Sequence, residues 1–339
     1  MNKQVNEKIE IGNCLVIGGN GQIGRAIVKQ LVQRGKFVRV LDLNKYEDEE
    51  SVDVIVGDLC DKDTMNKACK NIDTVFHTAS VIYDPKLPDS IFYKVNVDGN
   101  RNVLDSCIKE KVKRFIYTSS RDVVRSKNEP HYNLTEENAP YPKKLPNDAY
   151  SRTKIIAEKM VIAENSPSFT TCALRPTGVW GPYDNYQIPN ILQRFKAGKN
   201  MRFGKKGALF SRTYVENAAY AHVLAAEHLY PESEVAGEKY FITDYEPDSF
   251  WDFFDPILKK YGLSTSKRSV PFWLMYFIAS INEFFNPKSL INRFTVMQVG
   301  ITHTYCYDKA TKDFGYKPIV PLDEAMKKTM EWLDNWFTL

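Results

Sequence analysis

The sequence predicts an α/β fold in which a doubly wound parallel sheet is followed by a smaller, mostly helical C-terminal substrate lobe. Short apolar runs typical of buried strands alternate with amphipathic helical patterns through the first half of the chain. A glycine-rich turn joins the first strand to the first helix, and an acidic residue ends the second strand. A chain of 339 residues is long enough to bury a sizeable core in this arrangement.

The first strand is the apolar run Cys14–Ile17, and a helical pattern begins directly after the turn that follows it. The glycines of this turn are Gly18, Gly21 and Gly24. In this spacing the first glycine allows a tight turn, the second lets backbone N–H groups approach a diphosphate, and the third lets the helix pack closely on the strand. The helix N-terminus, at Gln22 and Ile23, favours the negative charge of the diphosphate. We therefore predict a dinucleotide-binding turn.

Asp42 ends the second strand, whose apolar run is Phe37–Leu41, and it lies 18 residues past Gly24. At this place a carboxylate can accept hydrogen bonds from the ribose hydroxyls of an adenosine. The same negative charge repels a 2′-phosphate, so the sequence favours NAD over NADP as the cofactor. Lys45, three residues further on, weakens this preference.

The composition excludes several classes of partner. Lys and Arg number 46 against 42 Asp and Glu, and no basic block with interleaved aromatic residues suggests a nucleic-acid surface. The 6 cysteines are scattered without C-x-x-C spacing, so we predict reduced thiols and no metal site. Met1–Glu10 is polar and charged, unlike a secretory signal, and we expect a protein that faces the cytosol.

Two further strands lead into candidate residues. Asp58 and Leu59 follow the third strand, where Asp58 could meet an adenine amino group or begin a helix. His77 ends the fourth strand and is a candidate base, although a lone histidine beside small residues is more often structural. Asn96 lies on the inward side of a helix that we predict near 90–109. Asparagine is unfavourable in the middle of a helix unless its side chain has a specific contact.

The fifth strand ends in Ser120, and Asp148 is the candidate N-cap of a later helix that carries Tyr150 and Lys154. These two residues are four apart and share one helix face. An ammonium group beside a phenol lowers the pKa of the phenol from about 10 toward neutral pH. Tyr150 is therefore a candidate general acid/base for an alcohol or a ketone. The Y-x-x-x-K pattern is also common on helix surfaces, and its position after a strand that ends in Ser120 favours the chemical interpretation.

The chain divides into two predicted units. Residues 1–182 form the NAD-binding domain, which about 213–244 complete, and about 183–212 together with 245–339 form the substrate-binding lobe.

The lobe contains an apolar segment at about 272–285, in which Phe272–Ile281 has a single polar residue. A membrane-spanning helix needs about 20 residues, so we expect this helix to end before Asn282 without crossing a membrane. It is either a buried helix of the lobe or an apolar surface. Such a surface could rest on a membrane or line the entry of a flat lipid, with Lys288 and Arg293 near the headgroups.

The chain resembles the extended short-chain dehydrogenase/reductase family, and within it the 3β-hydroxysteroid dehydrogenase branch, from about residue 12 to 335. The motifs that carry the resemblance are Gly18-Gly19-Asn20-Gly21-Gln22-Ile23-Gly24, Gly57-Asp58-Leu59, Val75-Phe76-His77-Thr78-Ala79, Tyr117-Thr118-Ser119-Ser120, Tyr150-x-x-x-Lys154, Leu174-Arg175-Pro176, Thr213-Tyr214-Val215-Glu216-Asn217, Phe241-Ile242-Thr243-Asp244-Tyr245-Glu246-Pro247 and Gly315-Tyr316-Lys317-Pro318.

The resemblance implies a Rossmann-type dinucleotide domain and a role for several residues. Ser120 would hold the substrate oxygen and Tyr150 would exchange the proton. Lys154 would bind the nicotinamide ribose and tune the tyrosine. Asn96 and Ala79 match family positions near the cofactor.

The resemblance also implies an activity, the NAD-dependent oxidation of a 3β-hydroxysterol to the 3-ketone. CO₂ would be lost where the substrate carries a 4α-carboxylate. The alternatives are a 3β-hydroxysteroid dehydrogenase/isomerase, another reductase or epimerase of the extended family, and an NAD-binding sensor without catalysis. Arg121 and Arg212 depart from the family pattern, and each could bind the carboxylate or form an ordinary salt bridge.

The expected partners follow from the same resemblance. We expect a sterol or steroid substrate and a peripheral contact with a membrane or lipid droplet through about 272–285. Whether the chain forms a homodimer is left open by the sequence. The expected location is the cytosolic face of the endoplasmic reticulum membrane or a lipid droplet surface, and otherwise the cytoplasm.

Overall fold

The computed structural model describes residues 8–48, 51–125, 129–198, 201–264 and 269–336. A seven-stranded sheet, in which all neighbouring strands are parallel, lies at its centre. The strands of this sheet are β1 (Cys14–Ile17), β2 (Val38–Asp42), β3 (Asp53–Val56), β4 (Thr74–His77), β5 (Arg114–Thr118), β7 (Thr170–Pro176) and β11 (Lys239–Ile242). Their order is β11-β7-β5-β4-β1-β2-β3, so the order reverses between β1 and β4. The predicted fold class is confirmed.

Helices cover both faces of the sheet. One face packs against α1 (Gln22–Gln33) and α7 (Val215–Glu227). The helices on the other face are α2 (Lys62–Cys69), α4 (Asn100–Lys109) and α5 (Ala149–Ala163). Val16 of β1 lies in the first core, and its neighbours Leu15 and Ile17 lie in the second. Because both faces are covered, the strands are continuous apolar runs rather than alternating ones.

The long helix expected near 90–109 is interrupted. The short helix α3 (Asp89–Tyr93) runs into a π-helical turn, Lys94–Gly99, and α4 follows that turn. A π-helical turn is rare and is often found at functional sites. Asn96 lies within it, so the residue that looked unfavourable in a regular helix marks the irregularity.

The remaining elements build the second part of the molecule and its connections. They are β6 (His131–Leu134), β8 (Val179–Trp180), α6 (Gln187–Lys196), β9 (Arg202–Gly204), β10 (Thr213–Tyr214), α8 (Phe250–Lys260), β12 (Ser269–Pro271), α9 (Phe272–Phe285), α10 (Arg293–Gly300), β13 (His303–Tyr305), α11 (Asp308–Phe314) and α12 (Leu322–Trp336). β6 lies within residues 126–148, a polar and Pro-rich stretch for which the sequence predicts a loop. It is a strand because it pairs with β13, which comes from far along the chain.

An aromatic core holds the helices of this second part together. It joins residues of α6, α8, α9 and α10 with Trp180 of β8. The rings of Trp180 and Phe253 are 4.9 Å apart and nearly perpendicular, and those of Phe253 and Phe254 are 5.0 Å apart and perpendicular. Edge-to-face pairs of this kind stabilise a core beyond the effect of their buried area. The predicted domain bounds stay a prediction.

Helix α9 is longer than predicted, since it continues through Phe285, and much of its surface faces outward. Met275 and Ala279 are buried on its inner side. The most exposed apolar residues of α9 are Trp273 (69%), Phe277 (58%), Phe284 (81%) and Phe285 (80%). Within the described ranges, no helix combines the length and the apolar character needed to cross a membrane.

Candidate active site

The glycine turn between β1 and α1 has the shape needed to hold a diphosphate. Gly18 has a φ of +83°, and a Cβ atom on it would lie 2.7 Å from the backbone nitrogen of Ala79. A Cβ atom on Gly24 would lie 2.1 Å from the carbonyl oxygen of Gly18. Both distances are too short for any side chain, so the turn requires glycine at both positions. Gly21 is the N-cap of α1 and has no side chain to occupy the first amides of the helix.

These features fit a dinucleotide. The start of α1 lies where the strand order of the sheet reverses, which is the place where such sheets bind their ligands. Its first amides and the helix dipole attract a diphosphate. The Gln22 side chain donates to the carbonyl oxygen of Gly181 at 3.2 Å, and the Ile23 side chain packs against the core. We therefore predict that these two residues would contact a cofactor through their backbone amides rather than their side chains.

Asp42, at the end of β2, is held beside the glycine turn. Its Oδ2 accepts a hydrogen bond from the backbone nitrogen of Asn20 at 3.0 Å. The carboxylate remains partly exposed and can also accept hydrogen bonds from ribose hydroxyls. The sequence analysis expects Lys45 to weaken the preference for NAD over NADP. In the structure its side chain is exposed to solvent, and its ammonium group lies 3.7 Å from the Glu47 carboxylate.

The residues after β3 and β4 that we predict to contact the cofactor differ in their burial and in their contacts. Asp58 is exposed, and its Oδ1 accepts the backbone N–H two residues on. The helix that follows is capped by Asp61 instead, so Asp58 does not serve as the helix cap. Leu59 lies in the core under the sheet, and Ala79 packs against Gly18. Contacts of Asp58, Leu59 and Ala79 with a cofactor stay predictions.

Asn96 has no polar atom left for a cofactor. Its Oδ1 accepts hydrogen bonds from the backbone nitrogen of Val81 at 2.8 Å and from Ser80 at 3.2 Å. Its Nδ2 donates to the carbonyl oxygen of Val81 at 3.0 Å and to Thr153 at 3.1 Å. These four bonds use the hydrogen-bonding capacity of the amide. Asn96 thereby joins the loop after β4 to α5 and positions both, and its predicted place near the cofactor stays a prediction.

β5 and α5 bring the three predicted catalytic residues together at the carboxyl edge of the sheet. Tyr150 lies close enough to Ser120 for the serine side chain to lower the pKa of its hydroxyl group. The Ser120 hydroxyl group accepts the backbone N–H of Asp122 at 3.1 Å. Asp148 caps α5 by accepting the backbone N–H three residues on at 2.7 Å, as predicted, and this fixes the first turn that carries Tyr150. One turn later Lys154 is buried, and its Nζ donates to the carbonyl oxygen of Thr118 at 2.6 Å.

Burial dominates the electrostatics of the site. Burial and the Asp122 carboxylate raise the pKa of Tyr150, while the hydrogen bond with Ser120 and the charge of Arg121 lower it. Burial also lowers the pKa of Lys154 to about 7. The expected fall of the tyrosine pKa toward neutrality is therefore not observed in this arrangement. The amine is itself desolvated, and it directs its hydrogen bond to a backbone carbonyl.

A buried ion pair behind Lys154 is a feature that the sequence analysis misses. Glu158, one turn after Lys154, binds Arg175 of β7 through two contacts of 2.6 and 3.0 Å. The Tyr141 hydroxyl group adds a third at 2.6 Å. Burial raises the pKa of Glu158, but the Arg175 guanidinium holds it below its ordinary value. The available signal was the spacing of Glu158, which places it on the helix face of Tyr150 and Lys154.

His77 is not part of the site. Its ring packs against those of Phe115 and Tyr117, with centroids 5.9 and 5.6 Å away. Burial lowers the pKa of His77 to about 3, so the ring is neutral at physiological pH. The structure supports the structural interpretation of this histidine.

A cavity of about 580 Å³ reaches Tyr150 from the side of α9 and α10. Its volume lies within the range of sites for small organic ligands. Its walls combine aromatic and apolar side chains, such as Tyr83, Phe92, Tyr276, Phe294 and Met297, with charged ones. The charged residues outside ion pairs of the wall are Asp84, Asp89, Lys143 and Lys144. Two ion pairs also lie in the wall: Arg125 with Asp148 at 3.4 Å and Arg293 with Glu283 at 2.9 Å.

The two arginines that depart from the family pattern have different partners. Arg212 forms an ion pair with Asp248 and lies 4.2 Å from the centre of the Phe253 ring. Arg121 donates instead to the side-chain oxygen of Gln298. Arg212 therefore fits the salt-bridge interpretation given in the sequence analysis.

This fold, with a serine–tyrosine–lysine group beside a dinucleotide turn, is that of the extended short-chain dehydrogenases/reductases, which use nicotinamide cofactors. Within that class, residues 15–272 match the 3-beta hydroxysteroid dehydrogenase/isomerase family. The chain belongs to this family, and the prediction made from its motifs is confirmed.

Both curated proteins and solved structures are similar to the chain. The chain is 37% identical to the mouse sterol-4-alpha-carboxylate 3-dehydrogenase, decarboxylating, over 94% of its own length and 90% of that protein. It is 31% identical to a Mycobacterium tuberculosis 3 beta-hydroxysteroid dehydrogenase/Delta 5-->4-isomerase over 97% and 92%. The solved structure of MoeE5 in complex with UDP-glucose and NAD is 21% identical, with a TM-score of 0.75 over 96% of this chain and 100% of that one. This last likeness shows the fold alone.

Proposed function

We propose that the protein oxidises the 3β-hydroxyl group of a sterol to the ketone with NAD⁺ as acceptor. We further propose that the substrate carries a 4α-carboxylate that leaves as CO₂. The single observation that carries this is the meeting of Ser120, Tyr150 and Lys154 beside the dinucleotide turn, in a chain 37% identical to a decarboxylating sterol dehydrogenase. The prediction of an NAD-dependent oxidoreductase is confirmed at the level of the family.

The chain offers a place for each part of the cofactor. The turn from Gly18 to Gly24 would hold the diphosphate, and Asp42 would accept the hydroxyls of the adenosine ribose. Lys154 would contact the nicotinamide ribose, as the resemblance implies. When bound, NAD⁺ supplies the acceptor for the two electrons that leave carbon 3 of the sterol.

The proton of the alcohol is handled by this chain's own residues. Ser120 holds the substrate oxygen by a hydrogen bond, and Tyr150 takes the proton from that oxygen. Because burial raises the pKa of Tyr150, its phenolate needs the Ser120 hydrogen bond and nearby positive charge to form. After oxidation a 4α-carboxylate lies β to the new ketone. The electrons of its carbon–carbon bond then pass into the enolate of the ketone as CO₂ leaves.

The cavity favours a sterol over the substrates of the rival functions. An epimerase acting on sugar nucleotides needs polar groups for the sugar and the phosphates, whereas one part of this cavity is lined by the rings of Tyr83, Phe92 and Phe294, which suit a flat apolar ligand. A dehydrogenase/isomerase would share every residue of the oxidation step and differ in its products. A sensor without catalysis would not need Ser120, Tyr150 and Lys154 together at the edge of the sheet.

A substrate panel tests the proposal. NADH formation and CO₂ release are measured with a 4α-carboxy-3β-hydroxysterol, with plain 3β-hydroxysteroids and with UDP-glucose. We expect NADH and CO₂ in equal amounts from the carboxysterol. A shift of the double bond in a 5-ene steroid would favour the isomerase alternative. NADH from none of the sterols would contradict the proposed function.

We also propose that α9 rests on a lipid surface at the cytosolic face of the endoplasmic reticulum membrane or of a lipid droplet. Its outer side exposes Trp273, Phe277 and Phe284, and aromatic side chains of this kind insert at the boundary between headgroups and acyl chains. Lys288 lies just beyond the helix, within reach of anionic headgroups. Arg293 forms an ion pair with Glu283 at 2.9 Å and remains partly exposed, and its contact with headgroups stays a prediction. The predicted homodimer stays a prediction.

Flotation with vesicles of phosphatidylcholine and phosphatidylserine tests this contact. We expect the native protein to float with the vesicles and a Trp273→Glu, Phe277→Glu double variant to remain at the bottom. Ile319→Glu is the matched control, because Ile319 is an apolar residue 52% exposed outside α9. Equal flotation of all three proteins would contradict the role of α9.

A further inference from the structure

The side chain of Ser120 is fixed by a residue two positions further along the chain. Ser120 is the N-cap of a short 3₁₀ turn, Arg121–Val124, and its Oγ accepts the backbone N–H of Asp122 at 3.1 Å. The same Oγ donates its hydrogen to Oδ2 of the Asp122 carboxylate, which lies 3.3 Å away. A serine hydroxyl group otherwise rotates among several staggered positions. Two bonds to one residue therefore select a single position for Oγ.

The Asp122 carboxylate is itself held in place. Asp122 is 8% exposed, and a carboxylate shielded from water needs hydrogen bonds to compensate for its lost solvation. Its Oδ1 accepts a hydrogen bond from Nε2 of Gln298 at 2.8 Å. Arg125 adds positive charge, with Nη1 3.8 Å from the same oxygen, a distance too long for a hydrogen bond. Oδ1 is thus bound by Gln298, and Oδ2 receives the hydrogen of Ser120.

The Gln298 side chain is fixed at both ends of its amide. Its Nε2 donates to Asp122, and its Oε1 accepts from the Arg121 guanidinium. The amide cannot turn over without losing both bonds, because its two ends have opposite hydrogen-bonding character. Arg121 and Asp122 belong to the same 3₁₀ turn, so Gln298 binds that turn at two points.

Gln298 lies on α10, which forms one wall of the cavity. Phe294 is one helical turn before Gln298, and both Phe294 and Met297 line the cavity. Two hydrogen bonds lead from this wall to the serine, one from Gln298 to Asp122 and one between Asp122 and Ser120. The serine and the cavity wall are therefore parts of one hydrogen-bonded unit.

We propose that Asp122 is a positioning residue, which holds the Ser120 hydroxyl group in place and is itself held by Gln298 on the cavity wall. This rests on the proposed function, in which Ser120 binds the substrate oxygen. The bond from Ser120 to Asp122 is long, and it can be exchanged when negative charge on the substrate oxygen makes that oxygen the stronger acceptor. A hydroxyl group already in place has little freedom to lose during the reaction, so the effect of Asp122 falls on kcat.

A double-mutant cycle between Ser120 and Asp122 tests the proposal. NADH formation from a 3β-hydroxysterol gives kcat and KM for the native protein, Asp122→Ala, Ser120→Ala and the double variant. We expect Asp122→Ala to lower kcat about 10-fold, with KM within about twofold of the native value. In the Ser120→Ala background the same change should alter kcat by less than about twofold, because Asp122 acts through the serine. Equal factors in both backgrounds would overturn the proposal, since a merely structural role does not depend on Ser120.

Two further variants separate the contacts of the carboxylate. Asp122→Asn keeps one acceptor oxygen and should retain more of the native kcat than Asp122→Ala. Gln298→Leu leaves the carboxylate without its bond to α10 and should lower kcat less than Asp122→Ala does. Asp105→Ala, at an exposed aspartate of α4, is the matched control and should leave kcat unchanged. Native kcat in Asp122→Ala would overturn the proposal, and native kcat in Gln298→Leu would remove Gln298 from it.

Stability supplies a second cycle that does not need turnover. The free energy of unfolding of the same four proteins is measured in urea. Replacing Asp122 should cost less in the Ser120→Ala background than in the native protein, because the bond to Oγ is already absent there. Additive losses would overturn the contact between the two side chains. If the native protein oxidises no sterol, the proposed function fails, and this second cycle still decides whether Asp122 holds Ser120.

Discussion

Replacing Lys154 with methionine tests whether burial governs the active site. Burial lowers the pKa of Lys154 to about 7 from 10.5, and the residue is 2% exposed. Between these two pH values the unfolded chain binds one proton more at this residue than the folded protein does. The free energy of unfolding therefore rises with pH in this window, by about 1.4 kcal/mol per unit and by about 5 kcal/mol across it. The cost of burying the amine is fully present below pH 7.

Methionine has no charge to desolvate, but it leaves the carbonyl oxygen of Thr118 without the bond from Nζ, which costs about 1–3 kcal/mol. The two effects have opposite signs and different pH dependence. We expect Lys154→Met to be more stable than the native protein by about 2 kcal/mol near pH 7 and less stable by about 1 kcal/mol near pH 10. NADH formation by Lys154→Met should be lost at both pH values.

Urea unfolding, followed by tryptophan fluorescence and repeated at several pH values, measures the free energy of unfolding of both proteins. It shows the pH at which their stability difference changes sign. Other groups titrate in both proteins, so the difference between their free energies of unfolding isolates Lys154. Lys109→Met, at an exposed lysine, is the matched control and should run parallel to the native protein. A difference between Lys154→Met and the native protein that stays constant over the pH range would refute the reasoning.

Three further changes have expected outcomes. Gly24→Ala places a Cβ atom 2.1 Å from the carbonyl oxygen of Gly18 and should raise the Kd for NADH at least about 10-fold in a fluorescence titration. Asn96→Ala removes four hydrogen bonds and should lower the free energy of unfolding by about 2–4 kcal/mol in urea, together with kcat. Glu158→Gln leaves the Arg175 guanidinium buried without its counter-ion and should cost about 3–5 kcal/mol in the same assay. Native values in any of these variants would contradict the corresponding contact.

The sheet and its turn could be predicted because their signals are local. β1 has the bounds of its apolar run, α1 begins where the glycine spacing places it, and Asp148 caps α5 as its position predicts. β6 could not be predicted, because a strand of four residues in a Pro-rich stretch depends on β13 for its partner. When a strand forms by pairing with a segment far along the chain, neither segment alone has a sequence pattern that predicts the pairing.

In the candidate site, too, local spacing could be predicted from the sequence, whereas contacts between distant segments could not. Sequence spacing places Tyr150 and Lys154 on one helix face, and the structure brings Ser120 to the tyrosine. The pKa values were not predictable, because they depend on burial, which the spacing of two residues does not reveal. The hydrogen bonds of Asn96 were not predictable for a related reason: its partners come from the loop after β4 and from α5.

The most direct test of the central claim is the activity of Tyr150→Phe with a 4α-carboxy-3β-hydroxysterol and NAD⁺. The phenyl ring keeps the shape of the cavity wall and removes only the hydroxyl group that exchanges the proton. NADH formation should fall about 100- to 10,000-fold, while the Kd for NADH and the activity of Tyr132→Phe, at a tyrosine 68% exposed, stay at native values. Undiminished NADH formation by Tyr150→Phe would contradict the account.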